Sequence, residues 1–209
     1  MADAKKGRIR AEKSQKILDA AEQVFVQFGY KGSSLQAIAT VAGLPKANLL
    51  YYFPNKQQLY NALLMDIVTR WNKNFTEITE EDDPAKTLER YIYAKVEQAI
   101  QYPNASKIFA TELIQGAPNL NEYLRTDVKN WLQSSCKIIN RWIAQGRMAK
   151  VDPEKLFFLI WSSTQHYAAS ETEVLILMDK THYQEQDIKQ IHQFLCQMIL
   201  TGCGLKPSR

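Results

Sequence analysis

Residues 33–56 read SSLQAIATVAGLPKANLLYYFPNK, and this stretch decides the fold class. Ser33-Ser34-Leu35-Gln36 places a hydroxyl at a helix cap and an amide three residues later, the capping-box pattern. It predicts a short helix to about Ala42 that buries Leu35, Ile38 and Ala39. Gly43-Leu44-Pro45 reads as a tight turn, and Pro45 sits at or just before a first helical turn, where its missing N–H costs nothing. The helix that follows, Lys46 to about Phe53, must stop before Pro54, because proline disfavours helical backbone in the residue ahead of it. Two short helices joined by a glycine-containing turn form a helix-turn-helix. In such a unit the second helix enters a DNA major groove with its N-terminal side chains at base edges.

On that geometry the base-reading candidates are Lys46, Ala47 and Asn48. Lysine suits guanine O6/N7 and asparagine suits adenine N6/N7. Leu49 and Phe53 supply the buried side of the helix, so Tyr51 and Tyr52 are free to hydrogen-bond phosphates or pack on sugars and thymine methyls. Ser33 and Ser34, at a helix start, can offer hydroxyls and N–H groups to a phosphate. Lys56 and the basic arm Lys5, Lys6, Arg8 and Arg10 add sequence-blind attraction. Charge placement agrees. Residues 1–60 hold nine Lys/Arg against four Asp/Glu, whereas the remainder holds 17 against 18, so the whole net charge of +4 comes from the first quarter of the chain. A basic first module on a near-neutral body points to a polyanion at one end.

Outward from the motif, spacings of three and four recur and strand-like alternation is scarce, so the chain is expected to be all-α with about nine helices. A first helix from about Lys13 to Phe28 would bury Ile17, Ala20, Ala21, Val24, Phe25 and Phe28, with Gly29 ending it in the left-handed region. A fourth runs from Lys56 through Leu59, Leu63, Ile67 and Trp71. The acidic run 80–83 ahead of Pro84 reads as a helix start rather than a metal site, with Asp83 as cap. Further helices are expected over roughly 84–101, 104–115, 119–145, 152–170 and 184–201. The expected organisation is a basic arm (1–12), a DNA-binding domain (13–56) and an effector-binding and dimerisation domain (57–209).

At 209 residues, 45% of them hydrophobic and 23% charged, the chain can bury a substantial core. No apolar run reaches the ~18 residues of a membrane helix, and the charged start lacks the apolar region of a secretory signal. Three cysteines (Cys136, Cys196, Cys203) without CxxC spacing form neither a disulfide framework nor a zinc site, so a reducing cytoplasm is the expected setting. No Gly-x-Ser-x-Gly elbow, phosphate loop or metal-ligand spacing is present, so neither catalysis nor a cofactor is expected, despite His166, Glu112 and Ser162.

In the C-terminal half, Trp161 and Gln165 are four residues apart on one helix and share a face, with His166 next along. That helix is otherwise apolar, so Gln165 should be inside, where an amide needs partners. Its donors and acceptors match the imide edge of a pyrimidine, and Trp161 or Trp71 could stack on a flat ring. The plainer alternatives are two core tryptophans, a Gln165 that bonds a backbone carbonyl and a His166 that serves only its helix.

Phe28-Gly29-Tyr30-Lys31-Gly32-Ser33-Ser34-Leu35, Ile38-Ala39, Ala42-Gly43-Leu44 and Asn48-Leu49-Leu50-Tyr51-Tyr52-Phe53-Pro54-Asn55-Lys56 resemble the signature of the TetR family of bacterial transcription regulators. That family's usual tyrosine three residues before the phenylalanine is Leu50 here, which shifts the backbone grip to Tyr51, Tyr52 and Lys56. Tyr102-Pro103-Asn104-Ala105-Ser106, Glu112, Gly116-Ala117-Pro118 and residues 160–167 resemble the family's pyrimidine-utilisation repressors. The resemblance implies a homodimer, joined through the last two long helices, on a palindromic operator in double-stranded DNA. It also implies release by a small effector such as uracil or thymine. As ligand contacts it implies Trp71, Trp161 and Gln165, with Glu112 and His166 as further candidates. The competing expectation is a DNA-binding or architectural regulator with no effector, or with an unrelated apolar one.

Overall fold

The computed structural model describes residues 2–72 and 78–207, and the side chains of residues 2–6 and of Asn72 lie outside the described part. All regular structure among the described residues is helical, as the periodicity predicts. The helices are α1 (Ala2–Gly32), α2 (Leu35–Val41), α3 (Lys46–Tyr52), α4 (Lys56–Asn72), α5 (Pro84–Gln101), α6 (Pro103–Ile114), α7 (Asn121–Tyr123), α8 (Lys129–Ala144), α9 (Pro153–Ala169), α10 (Glu171–Leu177) and α11 (Glu185–Gly202). The expected nine become eleven among the described residues for two reasons. The helix expected over 119–145 is broken by a π-helical stretch, Leu124–Val128. A short α10 also follows Ser170 directly. The chain forms two compact units, Met1–Arg70 with Lys107–Asn119, and Trp71–Ser106 with Leu120–Arg209.

In the first unit, α1 buries Ile17, Ala20, Ala21, Val24 and Phe25 as the period predicts. Two expectations for α1 fail. The helix begins at Ala2 rather than near Lys13, so the backbone of the basic arm is helical, and Phe28 is 55% exposed. Phe28 leaves the core because the helix kinks at Gly29, whose φ of 64° and ψ of 174° lie in a region essentially restricted to glycine. Ile38, Ala39, Leu49, Leu59, Leu63, Leu64 and Ile67 complete the core of this unit.

The second unit is built around α5, which packs against α9 and α11. Leu88, Ile92 and Val96 of α5 meet Leu156, Phe157 and Ile160 of α9, Ile139 and Trp142 of α8, and Ile191, Leu195, Cys196, Ile199 and Leu200 of α11. Asp83 caps α5, accepting from Lys86 N at 2.9 Å, and Asp152 caps α9, accepting from Glu154 N at 3.1 Å. The acidic run is tied down as a helix start. The Glu80 carbonyl accepts from Trp142 Nε1 at 3.0 Å and from Arg147 Nη1 at 2.7 Å, and the Asp82 carbonyl accepts from Arg147 Nη2 at 2.6 Å. No helix among the described residues is long and apolar enough to cross a membrane.

Candidate nucleic-acid interface and effector region

Local chemistry sets the angle between α2 and α3. Ser34 caps α2, its Oγ accepting from Ala37 N at 3.1 Å. The α2 end is closed by backbone alone: Gly43, at φ 62°, donates to the Thr40 carbonyl at 3.0 Å, and Leu44 donates to the Ala39 carbonyl at 3.0 Å. That paired arrangement is a Schellman motif, and the left-handed residue it needs explains the glycine. Pro45 then precedes α3, Leu49 is fully buried, Phe53 is 9% exposed, and Asn55 Oδ1 accepts from Gln58 N at 2.9 Å to start α4.

This scaffold leaves Lys46, Ala47 and Asn48 exposed at the start of α3. Tyr51 is 71% exposed and Tyr52 half-buried, their rings edge to face at 5.2 Å. Lys13 of α1 joins Leu44, Asn48, Tyr51 and Tyr52 around a cleft of about 230 Å³, and the Arg10 guanidinium lies 6.0 Å from the Tyr51 ring. Sequence reasoning passed over Lys13. Lys13 stands one helical turn before the buried Ile17, on the same face of α1, and is exposed.

Two expected phosphate contacts are engaged inside the fold instead. Ser33 is 5% exposed, and its hydroxyl donates to the Gly29 carbonyl at 2.6 Å and to the Val24 carbonyl at 3.3 Å. The capping box therefore does not form on Ser33; the kink at Gly29 frees carbonyls that this hydroxyl satisfies, and Ser34 caps alone. Lys56 Nζ donates to the carbonyls of Tyr30 at 2.8 Å and Ser33 at 2.9 Å and lies 4.6 Å from the Tyr30 ring. It ties the end of α1 to the start of α4 rather than facing outward as a free cation. Beside it, the rings of Phe25, Tyr30 and Tyr60 cluster with centroids 4.9–6.0 Å apart.

Glu112, an effector candidate, belongs to this first unit. It is 2% exposed and accepts from Tyr60 Oη at 3.1 Å, Asn119 N at 2.6 Å and Asn119 Nδ2 at 3.3 Å. Its carboxylate is engaged in fixing the Gly116-Ala117-Pro118 turn, in which Ala117 adopts φ 54°. Burial, reinforced by the adjacent Glu112 carboxylate, pushes the Tyr60 phenol far above its ordinary value. Gln57 extends the network, donating to Asn119 Oδ1 at 2.6 Å and accepting from Tyr30 Oη at 2.8 Å.

The remaining effector candidates lie in the second unit. Trp71 is 8% exposed; its carbonyl accepts from Gln98 Nε2 at 3.3 Å, and Lys95 Nζ lies 5.1 Å from its ring. Burial pulls the Lys95 ammonium down to about 8. Trp161 Nε1 donates to Tyr91 Oη at 2.6 Å within an aromatic cluster: Tyr91 stacks on Trp131 at 5.6 Å, and Phe157 meets Trp131 edge to face at 5.0 Å. Gln165 Nε2 donates to the Ser106 carbonyl at 3.0 Å, the plainer of its two expected roles. His166 is exposed, with its ring 6.3 Å from that of Tyr167, because its position on α9 turns it away from the core face of Ile160 and Thr164. Tyr91, Lys95, Gln98 and Ser106 were not singled out as site residues from sequence. Three of them lie on α5, whose amphipathic pattern alone does not say which polar residues turn inward.

Comparison with known proteins places this geometry. Residues 17–63 match the family model described as bacterial regulatory proteins, tetR family, and residues 64–206 match the model described as YcdC-like protein, C-terminal region. The HTH-type transcriptional regulator RutR of Escherichia coli strain K12 is 37% identical over 198 residues, 95% of this chain and 93% of that protein. Two solved structures share the fold at lower identity. AibR in complex with isovaleryl coenzyme A and operator DNA matches with a TM-score of 0.67 at 16% identity, covering 89% of this chain and 97% of that one. The ketosteroid transcriptional regulator KstR2 of Mycobacterium tuberculosis matches at 0.67 and 17%, covering 91% and 94%.

Proposed function

The chain belongs to the TetR family of bacterial transcription regulators, and from that premise we propose that it is a ligand-gated repressor acting as a homodimer on a palindromic operator in the cytoplasm. The observation that carries the DNA-binding half is the division of labour on α3: Leu49 is fully buried while Lys46, Ala47 and Asn48 are exposed one turn earlier. Lys46 and Asn48 read base edges in the major groove. Ser34, Tyr51, Tyr52 and Lys13 hold phosphates, and Ala47 lets the helix approach closely. A two-fold dimer presents two such helices to successive grooves.

The effector half rests on Trp71, Trp161 and Gln165, and the resemblance to pyrimidine-utilisation repressors, together with the match to RutR, supports a pyrimidine-like ligand such as uracil or thymine. The effector binds better to a form whose two reading helices are wrongly spaced for the operator, so the population shifts off DNA and operator DNA weakens effector binding by the same factor. Helix α4, which carries Leu59 near one end and Trp71 near the other, is the lever. A second reading, a regulator with an unrelated ligand or none, draws on the internal hydrogen bonds already made by Gln165 and Trp161.

The test is a gel shift with DNA upstream of the protein's own gene, with and without uracil and thymine. A discrete shift reversed by either supports the proposal; a shift that neither reverses favours the second reading. Gln165→Leu should keep the shift and lose its reversal, whereas Lys46→Ala should weaken the shift at unchanged thermal stability. Loss of both properties in one variant would sink the division between reading and sensing.

A further inference from the structure

Ser106 is 1% exposed, and its hydroxyl oxygen, out of reach of solvent, has no hydrogen-bond partner among the described residues. Its backbone is satisfied: its N–H donates to the Tyr102 carbonyl at 3.1 Å and its carbonyl accepts from Gln165 Nε2 at 3.0 Å. Helical hydroxyls commonly donate back to the carbonyl four residues earlier. Ser134 does so to Asn130 at 2.9 Å and Thr164 to Ile160 at 2.7 Å, but the Ser106 hydroxyl does not. A buried hydroxyl left unmatched destabilises a fold, and each such group calls for an explanation.

The explanation lies beside it, because the same residue already holds the amide of Gln165. Resting on the effector reading above, we propose that Ser106 is a ligand-contact residue. Its hydroxyl donates to a carbonyl oxygen of a small, neutral, planar cyclic amide whose amide edge pairs with Gln165. Both protein groups are uncharged and each can donate and accept, so the pair selects a neutral heterocycle that presents both kinds of group, and selects against a carboxylate or an amine. The hydroxyl stands unpartnered in the free protein because its partner is the ligand, and leaving such a group unpaired is also how a polar site rejects molecules that lack the matching atom.

The test uses the full-length protein and uracil as probe, with calorimetric titration, thermal melting without ligand and an operator gel shift on wild type and Ser106→Ala. The expected result is an unchanged shift, uracil affinity lowered about tenfold, and a ligand-free melting temperature raised by about 2 °C because an unmatched polar atom has gone. A purely structural serine would not move stability and affinity in opposite directions. Equal uracil affinity in both proteins, or a lower melting temperature for the variant, would overturn the role of Ser106 alone. Failure of the wild type to bind uracil or thymine would overturn the pyrimidine reading, and the assignment of Ser106 with it. If Ser106→Ala no longer shifts operator DNA, Ser106→Cys, close in volume and weak in hydrogen bonding, replaces it in the same measurements with the same expected outcomes.

Discussion

Single residues set the two features on which the reading surface depends. Gly29 combines φ 64° with ψ 174°, and a Cβ there would meet no atom within 4 Å, so its cost is backbone strain alone. Gly29→Ala should therefore destabilise the fold by about 1–3 kcal/mol, read as a lowered melting temperature, and Gly29→Asn should bring no relief because asparagine favours a ψ near +45° instead. The same kink decides which of two adjacent serines caps α2. Sequence places hydroxyls at 33 and 34 but cannot say which faces the carbonyls of Val24 and Gly29, because that depends on the chain direction set by the kink at Gly29, four residues before Ser33. Lys95 gives a residue-scale prediction in pH. Its folded value of about 8 lies below the ordinary 10.5, so between those values the unfolded chain binds more protons and stability rises with pH. Comparing wild type with Lys95→Met by chemical denaturation, the wild type should gain on the variant as pH is raised from about 8 to 10.5, and the difference should level off outside that window.

At the scale of elements, most of the helices were legible because their signals are local. Apolar spacing marked α1 and α4, Asp83-Pro84 and Asp152-Pro153 marked the starts of α5 and α9, and Gly43 marked the turn of the reading motif. Three features were illegible for one physical reason: each depends on backbone hydrogen bonding that side-chain pattern does not encode. The π-helical stretch at 124–128 changes the bonding step without changing the residue types expected of a helix. Helix α10 follows α9 across Ser170 with no breaker between them. The N-terminal extension of α1 has Ile9 as its single large apolar side chain, so periodicity is silent about it. The candidate site was legible in its outward-facing residues and poorly legible where a polar side chain turns inward, as Ser33, Lys56 and Glu112 do. Glu112 carries a prediction of its own. Its carboxylate accepts three hydrogen bonds that join α6 to Tyr60 and Asn119. Glu112→Gln swaps an acceptor oxygen for a donor facing other donors, and should destabilise by about 1–3 kcal/mol, with faster amide exchange at Asn119 as the local readout.

At the scale of the whole molecule, exposed apolar side chains occur in both units, and the most exposed of those in the second lie on its last three helices. The second carries Phe158, Leu159, Ile176, Leu177, Phe194 and Met198, each at least 50% exposed on α9, α10 or α11. Phe194 and Met198 are four residues apart and share one face of α11. On the dimer proposed above, Phe194→Glu should give a folded monomer by sedimentation and lose tight operator binding, since one reading helix would engage only half of a palindrome; a dimer that persists would place the interface elsewhere. The turn between α2 and α3 has one further consequence, for descent rather than for chemistry. It is closed by backbone bonds from Gly43 and Leu44, and α3 is anchored from below by Leu49 and Phe53, so the identities at 46–48 contribute little to holding the motif together. On the base-reading role proposed for those three positions, a duplicated gene can drift there and acquire a new target while its scaffold goes on folding as before. Lineages built on this plan are free to diverge in what they read well before they diverge in shape.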